Sequence, residues 1–361
     1  MSLSPGITER LARARADLRM GVPVVLDHAG EGLLAAAAET LGADRWRALL
    51  AMGQPLTLAV TSRRAATLKA RAYDGDVARI EVPQGADLKW VAQVADPADD
   101  LIAPMKGPFT TRRDGSAEAH RAAIALLKGA RLLPAAVTAP ITGDAARFAA
   151  DHELIRISLD QIDDTAALLN EVVSARVPLG AATDTRLHVY RPEDGSEEHY
   201  AIEIGQPDRS APVLARLHSA CFTGDLLGSL KCDCGPQLRG ALAQMGAEGA
   251  GVLLYLNQEG RGIGLVNKMR AYSLQDQGFD TVQANHRLGF EDDERDFRIG
   301  TAILQKMGFG AVRLMTNNPA KVAMMEAQGI KVVQRVPLKL GQNPLNKDYL
   351  ATKAAKSGHL L

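Results

Sequence analysis

Twice in its second half the chain runs an apolar stretch into a polar loop and then into a helical pattern that closes on glycine. The first instance is "GVLLYL" at 251–256, followed by the loop "NQEGRGIG" and the helix "LVNKMRAYSLQDQG", which ends at Gly278. In the second, "AVRLMT" at 311–316 meets "NNPAKVAMMEAQG". There Asn318 can cap, Pro319 sits in the first turn without wasting a donor, and Gly329 can close the helix. Between them "ERDFRIGTAILQKMG" reads as a further helix ending at Gly308. Strand, loop and helix in this order commit the region to an α/β fold. The polar residues gather in the loops, and loops at the carboxyl ends of strands are where such folds bind ligands.

The rest of the chain extends the same class. "RLHVYRP" and "HYAIEIG", joined by the polar "EDGSE", read as a hairpin, and a helix is expected around 236–246. Further upstream, "ITERLARARADLRMG" is a helical pattern ended by Gly21, "VPVVLD" is a strand, and "QPLTLAVTS" leads into an alanine-rich stretch around 60–72. "AHRAAIALLKGARLLPAAVTAPI" gives a helix and then a strand near 133–141. A chain of 361 residues is too long for one ordinary core. The proline- and glycine-rich "RVPLGAATDT" therefore places a boundary near residue 172, giving domains 1–172 and 173–361.

Composition narrows the function. With 46% hydrophobic and 23% charged residues the chain is neither disordered nor fibrous, and 33 glycines with 4% aromatics suit an α/β protein of many tight connections. Forty-two basic and forty-two acidic side chains leave no overall field for a nucleic-acid backbone, although a local phosphate pocket is unaffected. No 18-residue apolar run and no signal-peptide pattern are present, so a cytoplasmic protein without a membrane span is expected.

Every cysteine in the chain, Cys221, Cys232 and Cys234, lies in "LHSACFTGDLLGSLKCDCGPQL" at 217–238. A reducing cytosol and an odd number argue against a disulfide framework, which leaves metal ligation or nucleophilic chemistry. Three soft donors can converge through Gly235 and hold zinc with one position open, as a catalytic site requires. His218 is the nearest residue that would close the shell into a structural site, and three buried thiols with at most one reactive is the remaining possibility. In "NQEGRGIG", Glu259 can accept from N–H groups, Arg261 can take a phosphate with two parallel donors, and the glycines admit close backbone approach. A tight turn after a strand explains the same loop. Lys321 falls in a first helical turn, which is unfavourable for a cation unless an anion is near; a solvated surface lysine is the alternative. "EDDERD" at 291–296 reads either as a charged helix start or as a carboxylate, Asp293, and a guanidinium, Arg295, facing the metal.

Five motifs in order, "LHSACFTGDLLGSLKCDCGPQL", "QEGRGIGLVNKMRAYSLQDQG", "DERDF", "LMTNNPAK" and "NPLNKDYLATKAAKSGHLL", make residues 173–361 resemble GTP cyclohydrolase II, the first committed enzyme of riboflavin synthesis. The resemblance implies two α/β domains, with a mixed β-sheet and flanking helices in the C-terminal one. It implies one catalytic zinc per chain on Cys221, Cys232 and Cys234, and hydrolytic attack at C8 of guanine that opens the imidazole ring and releases formate. GTP would be held by Arg216, His218, Ser219, Gln237, Glu259, Gly260, Arg261, Thr281, Thr316 and Lys321. Asp293 would be the proton acceptor, Arg295 the group that attacks the α-phosphate and expels pyrophosphate, and Tyr272 a catalytic tyrosine near the base. Magnesium would arrive on the triphosphate, whose oxygens are hard ligands, and a homodimer formed mainly by the second domain is expected. Ala220 stands where the family usually has glutamate, and Asn257 where many members carry a basic residue. These departures leave open a cyclohydrolase acting on another nucleotide, or a non-catalytic GTP-binding regulator.

The first domain, through "ERLARARADLRMGVPVVLD" and "GSAEAHRAAIALLKGARLLPAAV", resembles 3,4-dihydroxy-2-butanone-4-phosphate synthase. That family's early acidic cluster is reduced here to "DHAGEGLL", with Glu31 nearly alone. Its Gly-His-Thr-Glu motif reads Gly115, Ser116, Ala117 and Glu118, and Pro140 replaces a later glutamate. Without those acids little remains to hold a divalent ion, so the domain is expected to fold without that activity.

Overall fold

Alanine- and valine-rich stretches in the first half pair into a six-stranded sheet in the computed structural model, which describes residues 3–162, 168–347, 349–351, 355, 358 and 360. The chain separates into two units, Met1–Asp164 with Val266–Glu294, and Thr165–Leu265 with Arg295–Leu361. The division falls a few residues ahead of the expected position 172, and a 29-residue stretch of the second region joins the first.

In the first unit the elements run α1 (Ile7–Arg19), β1 (Val24–His28), β2 (Glu31–Ala37), α2 (Ala43–Ala51), β3 (Thr57–Thr61), α3 (Ser62–Leu68), β4 (Val77–Glu81), α4 (Leu88–Ala95), α5 (Glu118–Gly129), β5 (Ala135–Ile141), α6 (Ala145–Asp151) and β6 (Arg156–Ser158). The sheet order is β4-β3-β5-β2-β1-β6, antiparallel throughout except for the β1–β6 pair. Period-two alternation sorts its side chains into two cores. Leu34, Ala36, Leu58 and Val60 face one way, with Trp46 and Val91. Ala35, Ala37 and Ala59 face the other, with Leu18 of α1 and Leu127 of α5. Each fully buried leucine or valine contributes about 1.5–3 kcal/mol.

The second unit contains β7 (Leu169–Arg176), β8 (Thr185–Pro192), β9 (His199–Ile204), β10 (Val213–Ser219), α7 (Cys234–Glu248) and β11 (Gly251–Leu256). The chain then passes through α8 (Gly264–Asp276) and α9 (Thr281–Leu288), and returns with α10 (Arg298–Lys306), β12 (Ala311–Met315), α11 (Pro319–Ala327) and β13 (Lys331–Val336). The seven strands are ordered β13-β12-β10-β11-β9-β8-β7. β13, β12, β10 and β11 are parallel neighbours, and β9, β8 and β7 continue antiparallel. This is the mixed sheet expected of the region. Leu217, Val252, Leu254, Leu256, Ile303 and Leu314 fill one face, and Leu214, Ala241, Met245 and Leu253 the other.

The hairpin, the 251–256 strand and the capped helix that follows the 311–316 strand match the sequence reading. Asn318 accepts from the Ala320 N–H at 3.0 Å with Pro319 at the start of α11. Two local readings change. "EDDERD" starts no helix: α10 begins only at Arg298, because the Asp296 carboxylate takes the Arg298 N–H and guanidinium at 2.8–3.0 Å and holds the preceding turn open. "DTVQANHRL", which carries no clear helical period, is a helix all the same: Asp280 and Gln283 cap it reciprocally, Asp280 accepting two N–H groups and Gln283 accepting the Asp280 N–H at 3.0 Å. Among the described residues no helix is long and apolar enough to cross a membrane. The closing motif at 343–361 lies partly outside the described residues.

Candidate metal centre

Because β10, β11 and β12 run parallel side by side, their carboxyl ends lie on one edge of the sheet. Three loops leave from there: Ala220 onward after β10, Asn257 to Gly262 after β11, and Thr316 to Asn318 after β12. The loops that the sequence marked as polar are therefore brought together by strand direction.

After β10 the backbone makes a five-residue turn of π type, Phe222–Leu226, and reaches α7, whose first residue is Cys234. The sulfur atoms of Cys221, Cys232 and Cys234 lie within 4.8 Å of one another, and those of Cys221 and Cys232 are 3.7 Å apart. Zinc–sulfur bonds of about 2.3 Å at tetrahedral angles place sulfurs about 3.8 Å apart, so the spacing suits zinc. Gly224 forms one wall: a Cβ there would lie 2.6 Å from the Cys232 sulfur and 3.0 Å from that of Cys221. Gly235 is equally constrained, since a Cβ would meet the Gly224 carbonyl oxygen at 2.1 Å. The neighbouring Cys221 thiol pushes the Cys232 thiol up, as clustered thiols resist ionisation until a cation joins them. Cys234 at a helix start has the peptide dipole on the side of its thiolate. Three thiols in a walled cradle fit a metal ion.

His218 does not join them. Its Nε2 lies 3.0 and 3.1 Å from the two oxygens of Asp225, and the metal-capable cluster among the described residues consists of the three cysteines. Burial pushes the His218 imidazole down, while Asp225 opposes the shift. Asp225 also accepts from the Cys221 N–H at 3.0 Å and the Tyr255 hydroxyl at 3.1 Å. Desolvation, with Asp225 next to it, raises the Tyr255 phenol well above its ordinary range and keeps it a donor. Asp225 thus fixes the entry of the π turn, and sequence reasoning missed it. A lone acid in "FTGDLL" gives no periodic or spacing signal.

Arg216 is buried, donating to the Met315 carbonyl at 3.1 Å and the Gln237 side chain at 2.5 Å, and Gln237 in turn donates to Asp233. Burial pushes the guanidinium down to about 10, still charged at neutral pH. This chain braces the first turn of α7 from beneath. Glu259 turns its carboxylate onto backbone: it accepts from Phe222 N–H at 2.5 Å and Gly260 N–H at 3.0 Å, joining the β11 loop to the cysteine turn. Gly260 and Arg261 both take left-handed φ, 63° and 61°. Arg295 donates to Ser219 Oγ at 3.1 Å, and its guanidinium carbon lies 4.7 Å from the Phe297 ring centre. Lys321 Nζ lies 5.1 Å from the same centre and donates to the Leu217 carbonyl at 3.2 Å. Two cations thus share one ring beside Ser219. Thr316 Oγ1 accepts from the Asn318 N–H at 3.0 Å. Asn257 is tied to β9, donating from its side chain to the Glu198 carbonyl at 2.5 Å and from its N–H to His199 at 3.0 Å. Tyr272, Thr281 and Asp293 belong to the first unit, Tyr272 on α8, Thr281 opening α9 and Asp293 in the loop after it. Thr281 Oγ1 accepts from Gln275 at 3.1 Å, and Lys268 Nζ lies 5.7 Å from the Tyr272 ring centre.

The family model described as GTP cyclohydrolase II matches residues 170–337. A GTP cyclohydrolase-2 of Azospirillum brasilense is 46% identical over 357 residues, covering 96% of this chain and 93% of the relative. One of Azotobacter vinelandii is 58% identical over 184 residues, 51% of this chain and 87% of that protein. A solved two domain 3,4-dihydroxy-2-butanone 4-phosphate synthase from A. baumannii is 16% identical at a TM-score of 0.33, covering 91% of this chain and 99% of that one, a likeness too slight to carry an argument.

Proposed function

The chain belongs to the GTP cyclohydrolase II family, and from that premise we propose that it opens the guanine imidazole ring of GTP, yielding 2,5-diamino-6-ribosylamino-4(3H)-pyrimidinone 5′-phosphate, formate and pyrophosphate in riboflavin synthesis. The observation that carries the reading is the convergence of three thiols in a glycine-walled cradle at the carboxyl ends of parallel strands. Zinc held by Cys221, Cys232 and Cys234 would supply a Lewis acid able to make water nucleophilic near neutral pH. The chain's own residues do the rest. Asp293 takes the proton released as water adds at C8, and Tyr272 stands by the base. Arg295 attacks the α-phosphorus, giving up a proton to water and forming a phosphorus–nitrogen bond as the bond to the departing pyrophosphate breaks; a further water then cleaves that bond to leave the 5′-phosphate, while Lys321 and Arg261 neutralise charge on the remaining phosphates. The approach of both Arg295 and Lys321 to the Phe297 ring, at 4.7 and 5.1 Å from its centre, supports this assignment, since it gathers two positive charges in one neighbourhood. Arg216, His218, Ser219, Gln237, Glu259, Gly260, Thr281 and Thr316 complete the GTP site, the inward-bonded Arg216, Gln237 and Glu259 acting largely by holding their loops in place. Magnesium enters with the triphosphate.

The protein acts in the cytoplasm as a homodimer, and its first domain does not make dihydroxybutanone phosphate. Half-buried Pro140 and its buried neighbours in β5 pair with β2, and Arg79 donates to the backbone oxygens of Gly115 and Ser116 at 3.3 and 3.4 Å, which supports a region now devoted to packing. Product analysis with zinc, magnesium and several purine nucleotides tests the reading. Formate and pyrophosphate from GTP are expected. Turnover of another nucleotide with none of GTP indicates a diverged substrate, and saturable GTP binding without formate indicates a regulator. Either result refutes the proposal.

A further inference from the structure

Asp293, the proposed proton acceptor, sits in the loop 289–294, which the first unit holds on both sides. Before it, Thr61 Oγ1 donates to the Gly289 carbonyl at 2.8 Å, and Arg63 donates to Glu291 Oε2 at 2.9 and 2.7 Å. After it, Lys128 Nζ donates to Glu294 Oε1 at 2.6 Å, and the same oxygen accepts the Glu291 N–H at 2.8 Å, closing the loop on itself. Gly289 adopts φ +89°, and a Cβ there would lie 2.9 Å from both Thr61 Oγ1 and Pro134 Cγ, so the loop rests directly on the first domain. Phe290 is buried, and Asp292 pairs with His286 at 2.8 Å. The helices before the loop are fastened likewise. Arg287 donates to Asp100, Arg270 to Glu39 at 3.0 Å, and the buried Asn267 to the Arg131 carbonyl at 3.0 Å.

We infer that Thr61, Arg63 and Lys128 of the first domain are positioning residues for the cyclohydrolase reaction, fixing the loop that presents Asp293. The inference rests on the assignment of Asp293 above and gives a domain without chemistry of its own a defined task. Nothing in the metal centre requires these three side chains. A proton acceptor displaced by about 1 Å loses roughly 10²-fold in rate, so a mobile loop would be costly even with zinc and GTP bound. Arg63 also holds the Glu291 carboxyl below its usual range, consistent with a formed pair although both side chains are partly exposed.

The test uses the full chain: Arg63→Glu with Lys128→Glu, and the charge exchange in which Glu291→Arg and Glu294→Lys are added. The first is expected to lower kcat at least tenfold while KM for GTP changes less than threefold and zinc content stays at one per chain. The acidic limb of the kcat profile moves to higher pH, because two cations near the loop are lost. The exchange restores kcat to within about threefold. Should the doubly reversed protein not fold, Thr61→Val with Lys128→Gln replaces it, with the same expected split. Unchanged kcat, equal losses in kcat and zinc, or failure of the exchange to restore rate overturns the inference while leaving the GTP reaction standing. Lack of GTP turnover by the wild-type protein overturns both.

Discussion

Replacing Gly224 by alanine isolates the packing of the thiol cradle from its chemistry. Gly224 is not among the glycines with positive φ, so alanine meets no backbone strain there. Removing a glycine from a compatible position would by itself stabilise by about 0.4–1 kcal/mol through the unfolded state. The added Cβ, however, would lie 2.6 Å from the Cys232 sulfur and 3.0 Å from the Cys221 sulfur and the Cys234 Cβ. Non-bonded heavy atoms settle roughly 3.5–4.0 Å apart, so the methyl intrudes by about 1 Å on the nearest sulfur. Overpacking of this kind costs about 1–3 kcal/mol, which exceeds the gain. Zinc geometry tolerates only about ±0.2 Å, so a sulfur displaced by several tenths of an ångström loses its place in the set. We expect zinc affinity to fall at least about 10–100-fold, with GTP turnover falling in parallel. Chelator competition on the purified protein, read by elemental analysis, gives the affinity, and a thermal melt checks folding. Wild-type zinc affinity in the alanine variant would refute the reasoning, for it would mean the thiols do not close around Gly224.

His218→Ala is expected to retain one zinc per chain, whereas serine at Cys221, Cys232 and Cys234 together removes it; metal loss in the histidine variant would restore the closed-shell alternative. His188 lies 3.1 Å from Glu203 and 2.9 Å from Glu171, and these carboxylates raise its imidazole above the ordinary 6.5. The raised group stabilises fully below its unfolded value, and the contribution is lost as pH rises through the folded one. The melting-temperature gap between wild type and His188→Gln should therefore be wider at about pH 6 than at about pH 9, and a gap that widens with pH would contradict the pairing.

Structure and chemistry were legible in the sequence to different depths. The three cysteines, the capped helix at Asn318 and Pro319, and the strand-loop-helix repetition follow from local rules, because ligand type, capping and hydrophobic period act over a few residues. Those rules marked Glu259 as an acceptor for a ligand N–H, but could not show that its carboxylate accepts from the backbone of Phe222 and Gly260. They could not say that three loops meet, for that depends on β10, β11 and β12 running parallel as neighbours, a matter of long-range pairing. Nor could they find Gly224 or Asp225, whose importance lies in what surrounds them: a sulfur 2.6 Å from an absent Cβ, and a carboxylate gathering a histidine, a tyrosine and a backbone N–H. The charged run at 291–296 was ambiguous for the same reason. Its acids look like a helix start until Arg63 and Lys128, more than 160 positions upstream, pair with Glu291 and Glu294. Composition and spacing determined which chemical groups the protein has. Only the tertiary structure decided which of them share a loop, a ring or a metal, because burial and strand order bring together residues that no local pattern connects.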